Sequence, residues 1–192
     1  MRKPDSEPAA TVPHLTAAAP APVRPRGVWW AWHGLHGGAG VTTLAAAIPG
    51  GIDGPGLPYQ HGFPALPVVA VCRSNAGGLT DAQHFAKWAS DNAAAANVIG
   101  LVVVADAPGR LPRSLESAIR LVTGGYPQLW RVPWVQSWRV GVPPSAATLP
   151  TAGRQLHIDL ASRTGAPLNG GHDVHPNLDP GPGARRRRSR AR

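Results

Sequence analysis

One short stretch of the chain has the residue types and spacing of a phosphate-binding loop. It reads His36-Gly37-Gly38-Ala39-Gly40-Val41-Thr42-Thr43 and follows an apolar run that contains three tryptophans. Glycines let backbone N–H groups converge on an anion without Cβ clashes, and a helix that begins after the loop adds partial positive charge. A threonine hydroxyl at the end of such a loop can bind Mg²⁺. The stretch therefore predicts that residues 36–43 bind phosphate groups.

The lysine that such loops carry is missing. The common pattern is G-x-x-x-x-G-K-[ST], and its variant K-G-G-x-G-K-[ST]-T marks the ParA/MinD family of partitioning and positioning ATPases, which residues 36–43 resemble. His36 and Val41 stand where that family has its two lysines. In the family, the lysine at the Val41 position contacts the β- and γ-phosphates. The lysine at the His36 position reaches the partner's nucleotide across a dimer.

This resemblance carries functional expectations. It implies a P-loop NTPase-like fold, ATP or GTP with Mg²⁺ as the cofactor, and either a homodimer or a protein partner within a larger assembly. Because valine has no charge, the same comparison implies a pseudo-ATPase that binds a nucleotide or partner and hydrolyses little, so the chain is not expected to be an enzyme. The alternative is a glycine-rich turn between a strand and a helix that binds no cofactor.

The chain resembles a small actinobacterial family more closely. The shared features are a tryptophan-rich strand with H-G-G-A-G-V-[ST]-T, a V-C-R strand, V-A-D-A-P-G-R-L-P, and P-W-x-x-W-R. They stand here at Trp29–Thr43, Val71–Arg73, Val104–Pro112 and Pro133–Arg139. No activity is established for that family, so this resemblance implies the fold alone.

Asp106 is the acidic residue with the most informative setting. It ends an apolar run and precedes Ala-Pro-Gly, which is similar to the strand-D-[ST]-P-x-G motif of the ParA/MinD family. In that alignment Thr42 and Asp106 hold Mg²⁺, Thr42 through its hydroxyl and Asp106 through a water. In a competing alignment, segments 72–82 and 137–143 match later parts of MinD-type proteins, and Asp106 lies near the base pocket. A third interpretation is that Asp106 only caps a helix or begins a turn.

Two arginines are candidates to replace the missing lysine. Arg73 follows one apolar run and Arg110 follows another. Arginine binds phosphate bidentately, so either could reach a ligand in the loop. His36 could also donate to a phosphate, although an ordinary histidine is mostly neutral at pH 7. An active NTPase with a substitute arginine is therefore the alternative to the pseudo-ATPase.

The elements that must position these residues alternate as β-α-β-α-β-α-β. Apolar runs predict strands at residues 27–33, 68–73, 99–105 and 129–132, and residues 50–67 are expected to be a loop. Helices are predicted from 41 to before Pro49, at 79–92 and at 112–123. This order predicts a three-layer α/β domain with a small, mostly parallel sheet of about four strands. The loops after the strands should all open at the carboxyl edge of the sheet, where ligands of such sheets bind.

Composition assigns the rest of the chain to tails. Residues 1–26 are expected to form a disordered leader, 27–144 the domain, and 145–192 a disordered tail. The formal charge is +9, and Arg185–Arg192 holds six arginines. Such a cluster could bind nucleic acid weakly, so a nucleic-acid adaptor is a further alternative. No apolar run approaches the ~18 residues of a membrane span, and the single Cys72 suits a reducing cytoplasm.

Together these expectations define one functional hypothesis. The chain is expected to be a degenerate ParA/MinD-like P-loop protein. Its role would be that of a scaffold or regulator in a positioning, plasmid-transfer or secretion assembly.

Overall fold

A computed structural model describes residues 26–54, 56–58 and 66–168. The chain is an α/β protein built on a five-stranded parallel sheet with the strand order β2-β1-β3-β4-β5. The strands are β1 Trp30–Gly34, β2 Gly51–Asp53, β3 Val68–Arg73, β4 Val98–Val104 and β5 Leu129–Val132. The helices are α1 Val41–Ala47, α2 Ala76–Asp91, α3 Ala93–Ala96, α4 Arg113–Thr123, α5 Gln136–Arg139 and α6 Thr151–Thr164, with a 3-10 turn at Ala146–Thr148.

The strand order reverses at β1. The chain leaves β1 to form β2 on one side and then returns to form β3 on the other, so that Trp32 pairs with both Asp53 and Val69. β4 and β5 extend the sheet beyond β3. In open parallel sheets the crevice at such a reversal is the usual ligand site, because the loops diverge there. The loop after β1 and the loop after β3 therefore border a preformed cleft.

Helices cover both faces of the sheet. On one face, Val69 and Val71 of β3 pack in a core with residues of α1 and α6. On the other face, Ala70 and Cys72 of the same strand pack with residues of α2 and α4. This alternation explains why the strands read as continuous apolar runs, since each is buried on two sides.

Two tryptophans of β1 force a glycine onto the neighbouring strand. Trp30 and Trp32 are fully buried and meet edge to face, with ring centroids 5.8 Å apart. A Cβ at Gly51 would overlap the indole nitrogens of both rings. Neither indole N–H has a hydrogen-bond partner among the described residues, and each such orphan costs about 1–3 kcal/mol. The close approach of β2 therefore depends on a residue without a side chain.

Most predicted elements are confirmed. β3 and β5 have the predicted bounds, and α1 ends before Pro49. The first and third strands and the two longer helices occur within about three residues of their predicted ends, which is the usual uncertainty of helix and strand boundaries.

One strand was missed by the sequence analysis, which predicted about four strands and a loop at residues 50–67. Three residues, Gly51–Asp53, form β2 and pair with β1. A strand this short shows no alternation in the sequence, and glycine is unfavourable in strands. β2 pairs with the edge of β1 that β3 leaves free, where Gly51 fits against the indoles of β1.

The domain does not end at residue 144. Helix α6 follows the 3-10 turn, and its Leu156 and Leu160 are fully buried against the sheet. Gly153 and these leucines lie at i, i+3 and i+7, one face of a helix, so a weak signal existed. Residues 1–25 and 169–192, which include most of the predicted leader and Arg185–Arg192, lie outside the described residues.

Candidate functional site

The loop between β1 and α1 turns at two glycines. Gly38 has φ +75° and Gly40 has φ +106°, values that cost a residue with a Cβ about 1–2 kcal/mol. The turn brings residues 36–43 to the carboxyl end of β1, and Gly40 precedes the first helical residue, Val41. At these two positions the loop therefore takes a backbone conformation that glycine adopts without strain.

His36 ties this loop to β3. Its Nε2 accepts a hydrogen bond from the backbone N–H of Arg73 at 3.0 Å, and its Nδ1 lies 3.0 Å from the carbonyl oxygen of Gly37. Both bonds form together only in the neutral ring with the proton on Nδ1. Both nitrogens are thus bound to backbone, and His36 shapes the loop; it does not donate to a ligand in this arrangement.

Arg73 lies across the loop. Its Nε donates to the carbonyl oxygen of Gly38 and its Nη1 to that of Ala105, both at 3.0 Å. Its Nη2 is 3.6 Å from the place that a Cβ on Gly40 would take. Two backbone bonds therefore fix the guanidinium, and one of its edges faces the loop.

The charge of Arg73 has little compensation. Burial lowers its pKa, nearby Arg139 lowers it further, and Asp106 opposes both. Arginine nevertheless remains protonated in proteins. Within the described chain, no carboxylate forms an ion pair with Arg73 or Arg139. An anion that bound here would relieve the repulsion between the two guanidinium groups.

Backbone donors complete the loop. The N–H groups of Val41, Thr42 and Thr43 are in the first turn of α1 and so lack an acceptor within the helix. No other acceptor in the described part of the chain bonds them. Helix α1 has seven residues, so its dipole is short, and Arg73 supplies the full positive charge at this point.

Thr42 pairs with a carboxylate that the sequence analysis did not select. Its Oγ1 donates to Oδ2 of Asp53 at 2.8 Å, and Asp53 ends β2, next to β1. Asp106 is exposed and follows β4, which does not neighbour β1 because β3 lies between them. Its backbone N–H donates to the buried Ser74 hydroxyl. Asp53 was missed because residues 50–67 were interpreted as a loop, so its position beside β1 was not predicted.

Two adjacent cavities open at this edge. The first, here called the loop hollow, has a volume of about 260 Å³ and is lined by His36, residues 38–43 and Arg73. The second, the tryptophan cavity, has a volume of about 140 Å³ and is lined by residues that include Trp134, Trp138 and Arg139. Gly40, Thr43 and Arg73 line both cavities. Arg110, the other candidate cation, is exposed and lines neither.

Arg139 lies at the wall of the tryptophan cavity. Its guanidinium lies over the Trp134 ring, 4.6 Å from the centroid. The indole N–H of Trp134 donates to Gln136 Oε1 at 2.8 Å, and that of Trp138 to Thr148 Oγ1 at 2.9 Å. The two indoles therefore have their polar groups satisfied outside the cavity and present apolar ring surface to it.

Other classes of site find no support in the described ranges. They contain no group of three or more histidine, cysteine or acidic side chains that could hold a metal ion. None of their helices is both long enough and apolar enough to cross a membrane. The Thr42 hydroxyl and the Asp53 carboxylate form an oxygen pair beside the loop. Such a pair could hold Mg²⁺, because this ion typically takes one or two protein ligands and completes its shell with phosphates and waters.

Comparison with known proteins places the domain in one family. No curated protein and no solved structure matches the chain. The profile of the "Family of unknown function (DUF6668)" matches residues 27–156. That match begins at the predicted start of the domain and continues into α6, beyond the predicted end at residue 144. The chain therefore belongs to the DUF6668 family.

Proposed function

We propose that this domain is a P-loop-type nucleotide-binding domain in which Arg73 replaces the missing lysine. The observation that carries the proposal is the arrangement at the loop hollow. Unpartnered amides of Val41–Thr43 and a fixed, uncompensated guanidinium converge there beside a threonine–carboxylate pair. Amide nests and arginine forks both recur where proteins hold phosphate oxygens.

Mg²⁺ would bind beside the phosphates. Thr42 Oγ1 and the Asp53 carboxylate are 2.8 Å apart and supply two oxygens of the kind that Mg²⁺ prefers. Asp53 takes the place that the sequence analysis gave to Asp106. Asp106 would then act on Arg73 through its charge.

We expect binding with little turnover. Val41 occupies the lysine position, and an aliphatic side chain cannot stabilise charge that develops on the β- and γ-phosphates. Interactions equally strong before and during the reaction increase affinity without increasing the rate. The resemblance to partitioning ATPases then favours a role as a nucleotide-dependent scaffold or regulator that recruits a protein partner.

The test is calorimetric titration of the full chain with MgATP, MgGTP and magnesium tripolyphosphate, together with a phosphate-release assay. Binding should occur, and both Thr42→Ala and Asp53→Asn should weaken it about 5- to 10-fold, since each removes about 1–1.5 kcal/mol of polar interaction. The loss should shrink when Mg²⁺ is replaced by EDTA. Failure of all three ligands to bind would reject the proposal, and turnover that Thr42→Ala abolishes would show an active NTPase instead.

A further inference from the structure

The tryptophan cavity adjoins the loop hollow. Gly40, Thr43 and Arg73 form the boundary that the two cavities share. A ligand whose phosphates lie against the loop could therefore extend past Arg73 into the second cavity. This cavity is the smaller of the two and is bounded by Trp134 and Trp138.

The walls of this cavity suit a flat ring. Both indole N–H groups are bonded to side chains elsewhere, to Gln136 and Thr148. The tryptophans therefore offer planar apolar surface, which stacks on bases irrespective of their sequence. Stacking alone does not distinguish one base from another.

The polar groups of the cavity are mostly donors. No carboxylate or carboxamide side chain lines it, and its charged members are Arg73 and Arg139. Arg73 already uses Nε and Nη1 on backbone carbonyls. Arg139, stacked on Trp134, has no ion-pair partner among the described residues, so no carboxylate there competes with a ligand in the cavity for its donors.

We propose, on the basis of the proposed function, that the tryptophan cavity holds the nucleobase and that Arg139 selects guanine over adenine. Guanine presents two acceptors, O6 and N7, on the edge that an arginine fork can bind bidentately. Adenine presents an acceptor, N7, beside a donor, the N6 amino group, which an arginine cannot satisfy. The same donor set therefore favours one purine and leaves a polar group of the other unpaired.

The experiment compares MgGTP, MgATP and magnesium tripolyphosphate by calorimetry on the full chain. GTP should bind about 5- to 150-fold more tightly than ATP, the discrimination of one bidentate pair. Arg139→Ala should bring the GTP/ATP affinity ratio close to one. Arg139→Gln should reverse it, because a carboxamide both donates to N7 and accepts from the N6 amino group of adenine.

Arg163→Ala is the matched control. Arg163 also lies over a tryptophan, 6.0 Å from the Trp130 centroid, and it lies outside the tryptophan cavity. Its removal should leave the GTP/ATP ratio unchanged. Equal affinities in the unmodified chain, or a GTP preference that survives Arg139→Ala, would overturn the inference and leave the proposed function standing if tripolyphosphate binds. Absence of binding by all three ligands would reject both.

Discussion

Two arginines of the sheet are held in opposite ways. Arg131, on the edge strand β5, forms a bidentate pair with Glu116 of α4, with N–O distances of 2.7 and 3.2 Å. Arg73, at the end of the central strand β3, donates instead to the carbonyl oxygens of Gly38 and Ala105. Glu116 therefore neutralises the charge of Arg131, whereas Arg73 keeps a full positive charge beside the unpartnered amides of the loop.

The difference teaches how to separate structural charge from functional charge in this fold. The Arg131–Glu116 pair is exposed, and exposed pairs contribute little to stability. The partly buried Arg73 has a pKa lowered first by burial, which is a cost that the described residues do not repay with an ion pair. Groups that a fold leaves uncompensated in a cleft are candidates for ligand binding.

The largest expected effect tests directly whether Arg73 and Arg131 differ in ligand binding. Arg73→Gln should weaken binding of magnesium tripolyphosphate about 10- to 100-fold, because a charge-assisted hydrogen bond contributes about 1.5–3 kcal/mol. Arg131→Gln should change it less than about twofold. The measurement is calorimetry, with thermal unfolding of each variant as the check that it folds. Equal losses in the two variants would mean that only net charge matters and that Arg73 has no special place.

The second effect tests the packing that brings β2 to β1. Gly51→Ala should lower the free energy of unfolding by about 1–3 kcal/mol, because the new Cβ overlaps both indole nitrogens and the core must shift. Gly54→Ala is the control in the same segment, since a Cβ there meets nothing within 4 Å. Urea unfolding measures both. Similar stabilities of the two variants would show that β2 is not packed as described.

The smallest expected effect concerns the pH dependence of stability, to which the partly buried histidines and the Arg131–Glu116 pair contribute in different pH ranges. Burial lowers the pKa of His33, with partial opposition from a backbone hydrogen bond to Gly56, and burial also lowers the pKa of His157. Below 6.5 the unfolded chain therefore binds more protons than the native one, and stability should fall with pH. The hydrogen bond from Arg131 lowers the pKa of Glu116, so the contribution of that pair should be lost only as the pH falls below 4.5.

Thermal unfolding from pH 8 down to about pH 3 covers these two ranges. His33→Gln should flatten the decline in the upper range by less than about 1 kcal/mol. Glu116→Gln should flatten it in the lower range. A single transition shifted equally by both variants would contradict the assignment of the two ranges to two regions.

The sequence was sufficient for the parts of the fold that repeat a pattern. Continuous apolar runs located four of the strands, and the glycine spacing located the loop, because both features follow from burial and backbone geometry within one segment. The residues that require knowledge of neighbouring strands were not predictable. β2 has three residues and no pattern of its own, so Asp53 could not be placed beside Thr42.

The choice between Arg73 and Arg110 shows the same limit. Each follows a strand and could face the loop. Only the strand order separates them, since β3 neighbours β1 whereas β4 does not. Arg139 was missed as a cavity residue because a four-residue helix, α5, brings it over Trp134, and so short a helix has no periodicity.

The two anchors of Arg73 have a consequence for motion. Gly38 and Ala105 are far apart in the chain, yet one guanidinium holds both carbonyls. The tip of the loop and the residue after β4 are thereby bridged without a covalent bond, and opening of either one breaks a hydrogen bond to the same guanidinium. Hydrogen exchange at these two ends should occur in a single cooperative step, so that whatever occupies the cleft changes the flexibility of both.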